Sequence, residues 1–416
     1  MTSLKHAQPA QCRTNNYALL IFRVVLLVLI LGLVALPAAW AQSYNVVYSF
    51  DGSVGSLPLG KALLDDRGNL YGTASAGGSN QKGTVFKVSP SGTATLLYSF
   101  TGGADGGAPE AGLIADEEGN LYGTAAQGGY TGGRCGGVRS GCGVVFKLSK
   151  SGVENVLYAF RDGPDGDGPY HELVRDAAGN LYGTTTWGGV LGGICGTFGC
   201  GVAFKLDRSG HETVLHAFTG GADGWLPNSA LLLDAEGNVY GTAAQGGIFT
   251  GQDCSSRGCG VIYKIDAAGK YSVLYSFTGG FDGLLPWTLI SDSNGNFYGC
   301  TIEGAASDEG TIFELSNSGE LSVLYTFGTH SIDFGCGGLL RNSDGTLYGT
   351  TKYATGTIFK LDTSGNYSEV YRFKVSAGGF DPNVPTLDSQ GNLHGTTYTG
   401  GNPQCHGCGV VYELTP

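Results

Sequence analysis

Charge is scarce in this 416-residue chain: Asp, Glu, Lys and Arg together make up 14%, well under the usual quarter. Methionine occurs once, at the first position. A chain this poor in the charged and straight-chain residues that favour helices is unsuited to bundles or coiled coils. Basic residues number 23 against 35 acidic ones, a formal net charge of −12. An acidic surface repels phosphate backbones, which argues against nucleic acid as a partner. A nucleophile elbow, an H-E-x-x-H helix and a phosphate-binding G-x-x-x-x-G-K-[ST] loop are all missing, so the common signatures of acyl transfer, metalloproteolysis and nucleotide hydrolysis are absent.

Long apolar runs are missing too, with one exception. Lys5, Arg13 and Arg23 precede the run Val24 to Leu36, which leads into Pro37-Ala38-Ala39-Trp40-Ala41. This is the order of a secretory signal: a basic start, a short apolar stretch and an A-x-A cleavage pattern. The reading is therefore a signal peptide over 1–41 and a mature chain over 42–416. An uncleaved anchor fits less well, because Arg23 interrupts the run and leaves it below the roughly 20 residues that a span requires. The leader carries three basic residues and no acidic one, so cleavage moves the net charge to −15. The expectation is a secreted, periplasmic or cell-surface protein with no membrane span after cleavage, acting as a monomer.

What the chain has in excess is glycine, 74 residues, against a usual share of about 7%. No Gly-X-Y period accompanies it, which excludes collagen. A hydrophobic content of 41% with 11% aromatics is enough to bury a core, which excludes disorder. Loop-rich and β-rich is the class that remains.

The glycines mark repeats. Leu70-Tyr71-Gly72-Thr73 recurs as Leu121-Tyr122-Gly123-Thr124, Leu181-Tyr182-Gly183-Thr184, Val239-Tyr240-Gly241-Thr242, Phe297-Tyr298-Gly299-Cys300, Leu347-Tyr348-Gly349-Thr350 and Leu393-His394-Gly395-Thr396. Successive glycines lie 51, 60, 58, 58, 50 and 46 residues apart, too far for a β-helix coil and right for a four-stranded blade. Each repeat carries four strand-length apolar runs, such as Gly112 to Asp116, Leu121 to Thr124, Val144 to Leu148 and Val156 to Phe160.

Two connections per repeat are short and stereotyped. One is Asp116-Glu117-Glu118-Gly119-Asn120 and the other Ser149-Lys150-Ser151-Gly152; Asp or Ser opens the turn and Gly supplies its positive φ. The last repeat ends at Thr415-Pro416 without a fourth strand, while Val46-Val47-Tyr48-Ser49-Phe50 is a fourth-type strand with no repeat before it. The two complete each other in a ring, which removes two exposed sheet edges. The fold expected is therefore all-β: a seven-bladed propeller of four-stranded blades, closed by the N-terminal strand completing the last blade. An open solenoid is the alternative.

The stretch from Gly112 through Gly119-Asn120-Leu121-Tyr122-Gly123-Thr124 to Gly143-Val144-Val145-Phe146-Lys147-Leu148 resembles the bacterial tandem repeats called GloVer repeats, over about residues 44 to 416. That resemblance implies an exported bacterial protein, in that family often joined to a surface anchor, and brings no established activity with it.

Because connections alternate between the ends of an up-and-down sheet, the two short turns share one face and the two long, variable connections share the other. Binding loops on rigid scaffolds are of the second kind, so the long-loop face is the candidate. Cysteines fall there in close pairs: Cys135 with Cys142, Cys195 with Cys200, Cys254 with Cys259 and Cys405 with Cys408. Cys300 and Cys336 remain for a bridge between neighbouring repeats. In an exported chain these read as disulfides, with a zinc site or a redox Cys405-His406-Gly407-Cys408 as alternatives.

The repeated Asp105, Asp165, Asp223 and Asp282 could hold calcium, but an Asp-Gly recurring in each blade is better read as a turn; no cofactor is expected. Residues that occur once are better leads. Trp187, Trp225 and Trp287, with Tyr130, Tyr170, Tyr353, Gln127 and Gln245, could stack on sugar rings and bond their hydroxyls, or pack between blades. His216 and His394 stand where other repeats have Tyr and are expected to pack.

Three functions follow. The first is a non-catalytic binding module for a polysaccharide or an extracellular protein. The second is a carbohydrate-active lyase or hydrolase using Glu303, Asp333, His171 and His330 at the central opening. The third is a structural surface or matrix protein.

Overall fold

The computed structural model describes residues 42–136, 140–161, 163–250, 254, 256–305, 308–328, 335–352, 355–374, 378–405 and 407–416. The chain divides into Met1–Gln42 and Ser43–Pro416; the proposed signal peptide lies outside the described residues. Among those described, no helix is long and apolar enough to cross a membrane.

Ser43–Pro416 forms seven antiparallel sheets arranged as a propeller. Blade 2 is representative, running from the inner strand Ile114–Ala115 through Leu121–Ala125 and Val144–Leu148 to the outer strand Glu154–Ala159. In blade 7 the outer strand is Ser43–Ser49, antiparallel to Val410–Thr415 with Ser43 opposite Thr415. Further bonds close the ring: the Asn383 side-chain amide donates to Pro58 O at 2.7 Å, and Thr386 Oγ1 donates to Ala62 O at 2.7 Å. The expected circular closure is what the structure shows.

Local chemistry explains the repeat. In the first short turn the Asp accepts from the backbone N–H groups two and four residues on, from the following Asn side chain and from the Tyr hydroxyl of the next strand, as Asp116 does with Glu118, Asn120 and Tyr122. Gly119 sits at φ 82, where a side chain would be strained. His394 keeps this pattern, its Nε2 lying 3.0 Å from Asp388. His216 likewise approaches Asp223 at 3.0 Å, as Tyr158 approaches Asp165. Both histidines therefore do more than pack: each takes over the polar contact of the Tyr it replaces.

The glycine of L-Y-G-T has a packing cause. A Cβ on Gly123 would lie 2.8 Å from the Phe146 ring, and one on Gly183 would lie 2.8 Å from Phe204. The ring of the third strand rests on bare backbone, and the same holds in all seven blades. That ring also receives the Phe that ends the preceding blade's outer strand: Phe50 on Phe86, Phe100 on Phe146, Phe160 on Phe204, Phe218 on Tyr263, Phe277 on Phe313, Phe327 on Phe359 and Phe373 on Tyr412, with centroids 4.9 to 5.7 Å apart. Seven edge-to-face seams hold blade to blade, the geometry that aromatic quadrupoles favour.

The outer seams also carry a pH response. Glu154 and Glu212 are pushed up to about 7, first by burial and then by the negative charges of Asp105 and Asp165. A carboxyl raised in the folded state holds its proton there when the unfolded chain has already lost it. Stability is therefore expected to fall as pH rises from about 4.5 to 7. Thermal melting of a Glu154→Gln/Glu212→Gln variant checks this: its melting point should match the parent at pH 5 and exceed it at pH 8.

Candidate functional site

The long-loop face is built on cross-links. In blades 2, 3 and 4 the long loop is pinned by glycine bridges, Gly128 to Gly141, Gly188 to Gly199 and Gly246 to Gly258. A Cβ on Gly141, Gly199 or Gly258 would lie 2.1 to 2.2 Å from the partner's carbonyl oxygen, so only glycine permits the approach. These Gly pairs are turn elements of the repeat, as the sequence indicates. Beside each bridge lies a disulfide: Cys135–Cys142, Cys195–Cys200 and Cys254–Cys259. Cys405–Cys408 closes the corresponding loop of blade 7, and Cys300–Cys336 joins blades 5 and 6; His406 is outside the described residues. The inter-blade bridge spans 36 residues, against 3 to 7 for the others. Loop-closure entropy then predicts that Cys300→Ala/Cys336→Ala costs about 4 kcal/mol and Cys195→Ala/Cys200→Ala about 2 kcal/mol, measured by urea unfolding.

Among the described residues no group of three His, Cys, Asp or Glu is placed to hold a metal ion. The repeated carboxylates are engaged in their own turns: Asp105 accepts from Tyr98, the Thr101 backbone N–H and the Thr101 hydroxyl, and Asp165 accepts from Tyr158 and Arg161 N.

Trp187 and Trp225 lie on this face and are half-buried. Trp187 faces Asp167 across a bridge and meets Tyr170 edge-on at 5.3 Å. Trp225 pairs with Gln245 and packs against the core between blades 3 and 4. The Trp225 indole nitrogen and Gln245 Oε1 are both buried with no hydrogen-bond partner among the described residues, a donor and an acceptor whose desolvation is uncompensated. Gln127 pairs its backbone with Gly107 and is half-buried.

Trp287 lies elsewhere, at the axis, where side chains of non-adjacent blades meet. Its ring is 6.4 Å from that of His171 in blade 3. Next to it, the Glu172 carboxylate accepts the backbone N–H groups of Lys61 and Gly112, and a Cβ on Gly112 would lie 2.1 Å from Glu172 Oε1. Burial brings His171 down to about 4 and raises Glu172. His171 thus meets Trp287 at the axis, while the carboxylate of its chain neighbour Glu172, which the sequence reading did not single out, turns to the backbone of blades 1 and 2. Glu303 ends a strand of blade 5 in solvent. Asp333, His330 and Tyr353 are outside the described residues.

The outward crest of the face is apolar. Val190, Leu191, Ile194 and Phe198 all stand exposed in the disulfide-bonded loop of blade 3, Phe198 at 63%. Tyr130 is exposed in the loop of blade 2 with Arg161 beside its ring, and Phe281 is 83% exposed after blade 4. Arg134 donates to Thr197 O at 3.0 Å, tying the loops of blades 2 and 3. Beneath, Ile194 closes over Gly220, where a Cβ would lie 2.3 Å from its methyl. The residues exposed for contact are therefore Phe198, Leu191, Phe281 and Tyr130; Tyr130 and Phe198 are single-occurrence aromatics of the kind the sequence singles out on this face.

Comparisons with known proteins agree with the architecture. The sequence pattern described as Gloeobacter/Verrucomicrobia repeat matches residues 37–254 and 250–416. No curated protein matches the chain in sequence. Among solved structures the chain is similar to a streptogramin B lyase, at 15% identity and TM-score 0.61, over 91% of this chain and 99% of that one. It is also similar to a gluconolactonase from Xanthomonas campestris, at 12% identity and TM-score 0.44, over 90% of each chain. Identity this low shows the fold alone, and the second likeness carries no argument.

Proposed function

The chain belongs to the Gloeobacter/Verrucomicrobia repeat family, and on that premise we propose that it is an exported, non-catalytic binding module that docks an extracellular protein on its long-loop face. One observation carries this reading: the cross-linked loop of blade 3 presents Val190, Leu191, Ile194 and Phe198 to solvent. Contiguous exposed apolar side chains mark interaction surfaces. Holding them on a bridged loop lowers the ordering cost of binding. The aliphatic Val190, Leu191 and Ile194 beside Phe198 favour an apolar protein surface over a polysaccharide.

The test compares the mature protein with Leu191→Ser/Phe198→Ser as the immobilised phase for the secreted proteins of its own bacterium. Saturable, protease-sensitive binding that weakens about tenfold in the variant is the expected result. Equal binding by both overturns the assignment of the crest.

A second reading has its own observation, the meeting of His171 and Trp287 from non-adjacent blades at the axis. A neutral His171 is competent as a base, and a lyase or hydrolase would use it there. Against this reading, Glu172 is held by two backbone N–H groups and Lys61, a bracing role between blades 3, 1 and 2.

A further inference from the structure

A groove lies on the opposite, short-turn face, between blades 4 and 5, with a volume of about 490 Å³. Leu232, Leu274 and Phe297 give it apolar walls, and Tyr240 and Ser291 line it as well. Three carboxylates, Asp234, Glu236 and Asp292, face one cation, Lys264. Partial burial works against ionisation of Asp234 and Asp292, but hydrogen bonds from the Asn and Tyr of each turn outweigh it and hold both below the usual carboxylate range.

The other blades show what belongs in such a seam. The residue preceding the turn pairs with the first residue of the next strand: Arg175 with Leu181, Ser291 with Phe297, Arg341 with Leu347. Arg175 of blade 3 lies over the Tyr122 ring of blade 2, 6.0 Å from its centroid. Arg341 of blade 6 lies over Tyr298 of blade 5 at 5.4 Å. Blades 1, 4 and 7 carry Leu64, Leu233 and Leu387 at this position, and blade 2 carries Ala115. In blade 5 it is Ser291, solvent-exposed, and the seam stands open. With Arg341 in place the seam between blades 5 and 6 measures only about 160 Å³. Phe297 adds a second ring 4.8 Å from Tyr240.

From this juxtaposition we infer that the groove between blades 4 and 5 receives an arginine side chain of a partner polypeptide, together with a neighbouring apolar residue. The guanidinium takes the place that Arg175 and Arg341 fill in the sister seams. There it stacks near Tyr240 among carboxylates that outnumber the single lysine. The remaining volume and the leucine walls accept the apolar neighbour.

Calorimetric titration of the mature protein with acetyl-leucyl-arginine amide tests the inference, with the citrulline counterpart and agmatine as comparators. Saturable binding of the arginine peptide is expected, about tenfold weaker for the citrulline peptide and for agmatine. Ser291→Arg, which rebuilds the sister seam from within, should abolish binding. If that variant fails to fold by circular dichroism, Glu236→Gln, a change at an exposed rim residue, should weaken binding about threefold. Absence of saturable binding, equal binding of the citrulline peptide, or binding unchanged in a folded Ser291→Arg protein overturns the inference; agmatine binding as tightly as the peptide overturns the polypeptide occupant.

Discussion

A mature chain lacking Ser43–Ser49 is expected not to fold to a monomeric ring. The strand supplies the outer edge of blade 7 along Val410–Thr415, and its loss exposes that edge to pairing with other chains. It also removes Tyr44, whose ring stacks on Tyr371 at 4.2 Å and meets Phe373 edge-on, and whose hydroxyl donates to Gly378 O. Size-exclusion chromatography should show aggregates in place of a single species. The control is a circular permutant. Joining Pro416 to Ser43 through Ser-Gly recreates the turn that Ser89-Pro90-Ser91-Gly92 makes in blade 1, and a chain that starts at Phe50 and ends with this hairpin should recover the parent's melting behaviour. A truncated chain that stays monomeric with an unchanged melting point would mean that closure contributes little.

The second large effect lies in the aromatic seams. Phe160 is fully buried, edge-on to Phe204 at 5.2 Å, and Phe204 in turn rests on Gly183. Phe160→Ala removes the ring and leaves a cavity between blades, at a cost of about 3 to 5 kcal/mol. Gly183→Ala drives a methyl into Phe204 and Leu173, each 2.8 Å from the new Cβ, at a cost of about 1 to 3 kcal/mol. Both act on the same ring, so the effects should not add. The cavity left by Phe160→Ala gives Phe204 room to retreat, and the double variant should be more stable than the sum predicts. Urea unfolding of the two single variants and the double, disulfides intact, measures the difference.

These seams also show why the architecture was legible in the linear chain. Gly183 and Phe204 recur in register because each blade solves the same packing problem with the same pair of residues. The unpaired Val46 to Phe50 strand and the terminal Val411 to Leu414 strand were complementary by count alone. Loop sidedness followed from strand alternation, and the close cysteine pairs from their spacing. The pattern of Asp116 with Tyr122 was visible too, which makes the Asp388 partner of His394 readable in retrospect.

What escaped depends on neighbours far apart in sequence. Glu172 is adjacent to His171, yet its partners are backbone groups of blades 1 and 2. Whether Trp187 and Trp225 present their rings or pack them is decided by Tyr170 and by the core between blades 3 and 4, neither of which spacing reveals. The groove at Ser291 arises because one blade's small residue faces the preceding blade's Tyr240. Its only linear trace is the alternation of Arg, Leu, Ala and Ser at the position before each turn.

On the function proposed above, the ring binds through its loop crest and performs no chemistry at its axis. Incubating the mature protein with a panel of plant and bacterial polysaccharides, while recording tryptophan fluorescence and assaying for new reducing ends and unsaturated products, tests this most directly. The predicted result is no product from any polysaccharide and no saturable fluorescence change, with Trp187 and Trp225 half-buried against Tyr170 and the core between blades 3 and 4 and Trp287 half-buried near His171. Product release that disappears in His171→Ala would contradict it and place the function at the axis.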